Sequence, residues 1–195
     1  MDNSIAEHDV LTVVSELTRN SLPTTISTVK AVLFFAYVLS VHYYRAEWGY
    51  RFTATPHSTP TSSVVDSAVN DLVISGLLLR LPDGRHLVSD RGRSLMSTMR
   101  PLLNRDEQSR SIATVCDLLM LVPGGLFREA LSADPGIRSG LIAGKSQRLD
   151  HEPLARKSTD LTAAIQEDSS DAEVALAVLE HLSSQAVQGG QALES

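Results

Sequence analysis

The stretch from Ser62 to Arg100 constrains the fold more than any other part of this sequence. Val64, Val65, Ala68, Val69, Leu72 and Val73 recur at helical spacing, with Thr61 or Ser62 placed to cap the first turn. Gly76 follows where a helix end favours a left-handed residue. Leu77 to Leu81 then reads as a strand. Pro82-Asp83-Gly84 is a turn, because Pro presets φ and Gly accepts the positive φ such a turn needs. Arg85 to Val88 returns as a second strand. Ser89 caps a further helix from Asp90 to about Arg100, with Asp90 favourable at its positive end. Pro101 is expected to end or kink that helix.

Helix, Gly, strand, tight turn, strand, helix is the layout of a winged-helix unit. The expected fold is mostly α with a small β-hairpin: a winged helix-turn-helix core with flanking helices. Upstream, Val10, Val13, Val14 and Leu17 place a first helix over Ser4–Thr18. Pro23 breaks the chain, and Thr24, Thr25 and Ser27 offer cap oxygens for a second helix over Ser27–Glu47. That helix is apolar nearly all round from Ala31 to Val41, which predicts burial on several sides. Gly49 ends it. Tyr50-Arg51-Phe52 reads as a short strand, and Pro56 and Pro60 exclude a regular helix after it.

Downstream, a helix is expected over about Asp106–Leu121, broken by Pro123-Gly124-Gly125. A short helix over Leu126–Ala133 ends at Asp134-Pro135-Gly136. The predicted organisation is a helical winged-helix domain over 1–135 with its wing at about 77–88. A linker over 136–157 and an acidic tail over 158–195 follow. In the tail, Ser170-x-x-Glu173 is a capping box, and Ala175, Val178, Leu179 and Leu182 then share one helical face. That face either docks on a partner or belongs to a solvated tail.

Composition narrows the class. The apolar fraction of 43% and the charged fraction of 21% are those of a globular chain rather than a disordered one. Most aromatics, from Phe34 and Phe35 through Tyr37, Tyr43, Tyr44, Trp48 and Tyr50, fall in one stretch, which marks the centre of the core. The single cysteine, Cys116, excludes an internal disulfide and fits a reducing cytoplasm. Its apolar neighbours at helical spacing predict a buried thiol. Met1 to Asp9 is acidic and lacks the basic region of a signal peptide. The Ala31–Val41 run falls short of the roughly 20 residues a membrane helix needs.

The net charge of −6 is uneven: residues 1–104 carry nine basic and nine acidic side chains, and from Ser158 onward seven acidic and no basic ones. The excess belongs to the tail, so the core is not the strongly basic body of a nucleic-acid binder.

No catalytic constellation is legible. Gly144-Lys145-Ser146 resembles the end of a phosphate-binding loop, but Ser139 stands where the first Gly of that pattern belongs. His8, His42, His57, His86, His151 and His181 are scattered outside metal-ligand spacing. Nothing groups a nucleophile with a base. A non-enzymatic chain without metal or cofactor is expected. The features that could carry binding are Arg80, Arg85, Arg91 and Arg93, with Arg100 beyond them, on the wing and the helix after it. They either contact phosphates or a partner, or are solvated surface charge. The helix that would read DNA holds Asp66 and Asp71 and no Lys or Arg, which favours solvated surface charge or a protein-facing role over DNA reading.

Lys30 followed by Val32-Leu33-Phe34-Phe35, then Tyr50-Arg51-Phe52, Leu72-x-x-x-Gly76-Leu77-Leu78 and Leu87-Val88-Ser89-x-x-Gly92 form a pattern over roughly residues 25–135. It resembles the small winged-helix middle component of bacterial three-component ABC-ATPase (Lamassu-like) anti-phage defence systems, with similar modules in antitoxin-like proteins of the Panacea type. Where that family often has Gly-Pro-Tyr/Phe, this chain has Ser58-Thr59-Pro60-Thr61. The resemblance implies a non-catalytic subunit bridging an SMC-like ATPase and an effector nuclease, with DNA contact open within the complex and no membrane role. The alternative on the same residues is a DNA-binding transcriptional regulator.

Overall fold

The computed structural model describes residues 3–43, 48–54, 60–121 and 147–148. In chain order the elements are α1 (Ser4–Arg19), α2 (Ile26–Tyr43), β1 (Thr53–Ala54), α3 (Ser63–Ile74), β2 (Leu78–Arg80), β3 (His86–Val88), α4 (Asp90–Leu103), α5 (Asp106–Leu121) and β4 (Gln147–Arg148). The described chain is therefore mostly helical with a small antiparallel hairpin. The expected short helix over Leu126–Ala133, most of the linker and the whole tail lie outside the described residues.

Helix α1 is the hub. It packs against α2, α3, α4, α5 and β3. Ala6 and the unbroken run His8–Val14 are buried on every side of it, with Leu17 a turn later. Helix α2 lies alongside, with Val32 to Tyr37 buried. An aromatic cluster fills the space below it. Phe34 meets Phe52 edge-on at 5.4 Å between centroids, Tyr37 meets Trp48 at 5.9 Å, and Trp48 meets Tyr50 at 5.8 Å. The sequence places the core centre here correctly. Edge-to-face rings add attraction to the area they bury.

Helix α2 starts one residue earlier than the spacing predicts, because Thr25 caps it: Thr28 N–H donates to Thr25 Oγ1 at 3.3 Å. Residues 44–47, assigned to its end by the sequence reading, are outside the described part. The strand expected at Tyr50–Phe52 begins instead at Thr53. Tyr50 and Phe52 spend their side chains on the aromatic cluster, and backbone pairing starts only where Thr53 and Thr61 exchange hydrogen bonds of 2.7 and 2.9 Å. Thr53 and Ala54 also pair antiparallel with Arg148 and Gln147.

The hairpin follows the sequence closely. Its register is Leu78↔Val88, Leu79↔Leu87 and Arg80↔His86. Gly76 (φ 70°) closes α3: Leu77 N–H donates to Leu72 O at 2.9 Å and Gly76 N–H to Val73 O at 3.1 Å. This double bond pattern is a Schellman cap. Ser62 precedes α3 as expected, but its buried hydroxyl makes no cap bond. Helix α4 is not stopped by Pro101. Pro101 sits in the last turn, where its missing N–H removes a single bond, and the helix ends at Asn104 with φ 48°.

Ser89 knits hairpin and helices together. Its hydroxyl accepts from Gly92 N–H at 3.1 Å and donates to Gly76 O at 2.8 Å, while its own N–H donates to Leu77 O at 3.0 Å. Gly92 is the one buried residue of α4, and a Cβ there would run into the Leu77 carbonyl and Val88 Cγ1. Close approach of α4 to the hairpin thus requires glycine.

The end of α1 carries a second Schellman pattern, with Leu22 N–H on Leu17 O at 2.8 Å and Ser21 N–H on Thr18 O at 3.1 Å. Here the left-handed position holds Ser21 at φ 56°. A Cβ in this region is disfavoured by about 1 kcal/mol. Ser21→Gly is therefore expected to stabilise the chain by up to about 1 kcal/mol, read as a raised urea midpoint at unchanged m.

Cys116 is buried, as its neighbours predict, and burial pushes its thiol up to about 12. At pH 8 the native thiol is therefore expected to resist iodoacetamide and to react at the rate of a free cysteine only in denaturant. Native labelling at the free-thiol rate would contradict the packing. No helix among the described residues is long and apolar enough to cross a membrane.

Candidate functional site

The hairpin and the first turn of α4 gather the arginines singled out from the sequence. Arg80 lies exposed at the end of β2, Arg85 in the turn, and Arg91 and Arg93 at the start of α4. Ion pairing divides them. Arg85 Nε meets Asp83 Oδ2 at 2.6 Å. Arg93 pairs with Asp90 and also donates to Val88 O at 2.9 Å. Arg100 meets Asp106 at 3.3 Å. Arg80 and Arg91 carry no ion pair among the described residues. The basic character of this surface therefore reduces to Arg80 and Arg91.

Asp83 does double service in the turn. It accepts from the Arg85 backbone N–H at 3.0 Å and from the Arg85 guanidinium, and these bonds hold its carboxyl below the ordinary value. A depressed folded pKa means that the turn's stabilisation is present above the ordinary aspartate pKa. It is lost as pH falls through the folded value.

The outward stripe of α3 is Ser63, Ser67, Asn70 and Ile74, with Asp71 beside it. It contains no cation. Ile74 is 85% exposed, an apolar tip directly before the hairpin, where Leu79 is 48% exposed. The two acidic residues of this helix are both engaged. Asp66 pairs with Lys30 of α2 at 2.5 Å. Asp71 accepts from Asn3 Nδ2 at 2.6 Å and from Ser67 at 3.4 Å. The negative charge read from the sequence is thus partly neutralised by Lys30, a pairing that only the tertiary structure makes.

Sequence reasoning missed a buried polar cluster built on α1. Asp9, on the buried side of α1, is fully buried, and Arg105, just before α5, is 4% exposed. Arg105 reaches Asp9 through both Nε, at 3.3 Å, and Nη2. Tyr50 donates to Asp9 Oδ2 at 3.0 Å, and the Arg105 guanidinium lies 5.5 Å from the centre of the Trp48 ring. Burial first, then the charge of Asp9 and the hydrogen bond to it, push the Tyr50 phenol well above its ordinary value, opposed only by Arg105. The signal was present: Asp9 lies three residues after Ala6 and four before Val13, inside the apolar stripe of α1. A carboxylate in that position needs a cation.

Among the described residues no group of three or more His, Cys, Asp or Glu could hold a metal ion. Ala175, Val178, Leu179 and Leu182, the expected partner-helix face, lie outside the described residues, as does Gly144-Lys145-Ser146. No family model, no curated protein and no solved structure matches this chain.

Proposed function

We propose that this chain is a non-catalytic winged-helix subunit that bridges an SMC-like ABC ATPase and an effector nuclease in an anti-phage complex. The single observation that carries the protein-facing reading is the outward stripe of α3, which offers hydroxyls, an amide and an exposed isoleucine but no cation. A helix that docks on phosphates needs positive charge. The order helix, hairpin, helix supports assigning the winged-helix class, and the motif resemblance around Gly76 and Gly92 supports the complex. The reading requires an SMC-like ATPase gene beside the one for this chain, and co-expression of the two tests it. Stable co-purification is expected, and Ile74→Asp is expected to weaken it about tenfold or more, as loss of an exposed apolar anchor does. Failure of the two proteins to associate would remove the proposal.

A DNA-binding winged-helix regulator is the second reading, favoured by Arg80 and Arg91, which carry no ion pair among the described residues, and by the neutralisation of Asp66 through Lys30. It requires that the isolated chain bind duplex DNA with a steep salt dependence. Arg91→Ala would then lower affinity and reduce the salt slope by about one. On the leading reading, the isolated chain shows no tight, sequence-specific binding.

A further inference from the structure

We propose that the acidic tail of this chain docks on its own hairpin surface, its Val178, Leu179 and Leu182 covering Ile74 and Leu79, and its Glu167, Asp168 and Asp171 meeting Arg80 and Arg91. The surface is a junction of three elements. Ser89 bonds the carbonyls of Gly76 and Leu77, and Gly92 lies against the Leu77 carbonyl. The end of α3, the start of β2 and the first turn of α4 therefore meet there. Ile74 precedes the junction, Leu79 follows it on β2, and Arg91 stands between Ser89 and Gly92. Ile74 is 85% exposed and Leu79 48%, so both leave apolar area in water that a cover would remove.

Charge selects the occupant. Arg80 and Arg91 are exposed and carry no ion pair among the described residues, whereas Arg85 and Arg93 are held by Asp83 and Asp90. Two uncompensated cations beside two exposed apolar side chains fit a segment that is both acidic and amphipathic. From Ser158 onward the chain holds seven acidic residues and no Lys or Arg. Behind the Ser170 cap, Asp171, Ala175, Val178, Leu179 and Leu182 recur at helical spacing. A carboxylate thus leads into the apolar stripe, and Glu167 and Asp168 stand just before it. A second copy of the hairpin surface would instead set arginine against arginine, which repels. Reach does not limit the tail. Antiparallel pairing ties Arg148 to Thr53. From Arg148 to Ser170 an extended chain spans up to about 70 Å, roughly twice the breadth of a domain of this size. A tethered segment also acts at an effective concentration in the millimolar range, so modest contacts suffice. A partner anchored on Ile74 then has to displace the tail; that consequence rests on the ATPase reading, and the contact itself does not.

The test is paramagnetic broadening in the full, isotope-labelled chain, with a nitroxide on Gln185→Cys just past the apolar stripe. Cys116 is buried and its thiol is pushed up to about 12, so the introduced cysteine takes the label selectively. Selective broadening of the Leu79, Arg80 and Arg91 amides is expected. Arg80→Glu with Arg91→Glu is expected to reduce it about fivefold or more. Both arginines are exposed, so the reversal leaves the core in place. Adding Glu167→Arg with Asp168→Arg is expected to restore the broadening, which a merely structural effect of the first pair would not allow. Leu179→Asp is expected to remove it. Absence of selective broadening, or broadening that survives the arginine reversal, overturns the proposal. Broadening that persists when only a second, unlabelled-isotope copy carries the nitroxide also overturns it, because the contact then joins two copies. Every measurement uses the isolated chain, so its failure is separate from failure to find an ATPase partner.

Discussion

Asp9→Ala is expected to destabilise the chain by about 3–5 kcal/mol, the cost of leaving a buried arginine without its counter-charge. Arg105 then keeps a cation of 4% exposure beside Trp48, and Tyr50 loses the acceptor of its hydroxyl. Equilibrium urea unfolding followed through Trp48, the sole tryptophan, measures this directly. The Tm should fall by about 10 °C or more. Asp9→Leu combined with Arg105→Met should recover most of the loss, because an apolar pair of similar volume removes both desolvation penalties. A double-mutant coupling near zero would show that the pair is not a unit. The same cluster sets a limit at alkaline pH. The Tyr50 phenol is raised above its ordinary value, so its stabilisation is complete below the unfolded tyrosine pKa and is lost as pH rises toward the folded one. Tyr50→Phe should flatten that alkaline decline.

Gly92→Val is expected to cost about 3 kcal/mol through overpacking. A Cβ at this position meets the backbone carbonyl of Leu77, which cannot rotate away as a side chain would, and stands 2.9 Å from Val88 Cγ1. In an exposed helix, Gly→Ala would gain about 1 kcal/mol of propensity. Here Gly92→Ala should instead lose about 1–2 kcal/mol, because α4 must withdraw from the hairpin. The damage should be local as well as global. Exchange of the Ser89 and Gly92 amides, which bond to Leu77 O and to the Ser89 hydroxyl, should accelerate first. A stabilised Gly92→Ala variant would show that the close approach is not needed. Because the hairpin and α4 carry Arg80 and Arg91, the same substitution should also weaken any partner that reads this surface.

How much of this was legible follows from which interactions are local in sequence. The hairpin and its flanking helices were readable because caps and turns are decided within a few residues: Gly76, Pro82-Asp83-Gly84 and Ser89 each act on neighbours. The boundaries of α1 and α5 came from periodicity for the same reason. Pro101 misled because the rule against proline is weak in a last turn. The strand near residue 52 was misplaced because two aromatics chose the core over the ladder.

The candidate surface divides the same way. Its arginines were visible as a cluster, but their state was not, since Asp83 and Asp90 neutralise two of them and leave Arg80 and Arg91. Lys30 is thirty-six positions from Asp66, and Asp9 is ninety-six from Arg105. No local pattern carries such pairings. By itself the sequence determined a helical chain with a glycine-punctuated hairpin, a central aromatic core and a buried lone thiol. The tertiary structure alone decided that α1 is the hub and which charges are spent in pairs. Charge pairing over such separations depends on which faces meet in the fold, and only packing chooses those.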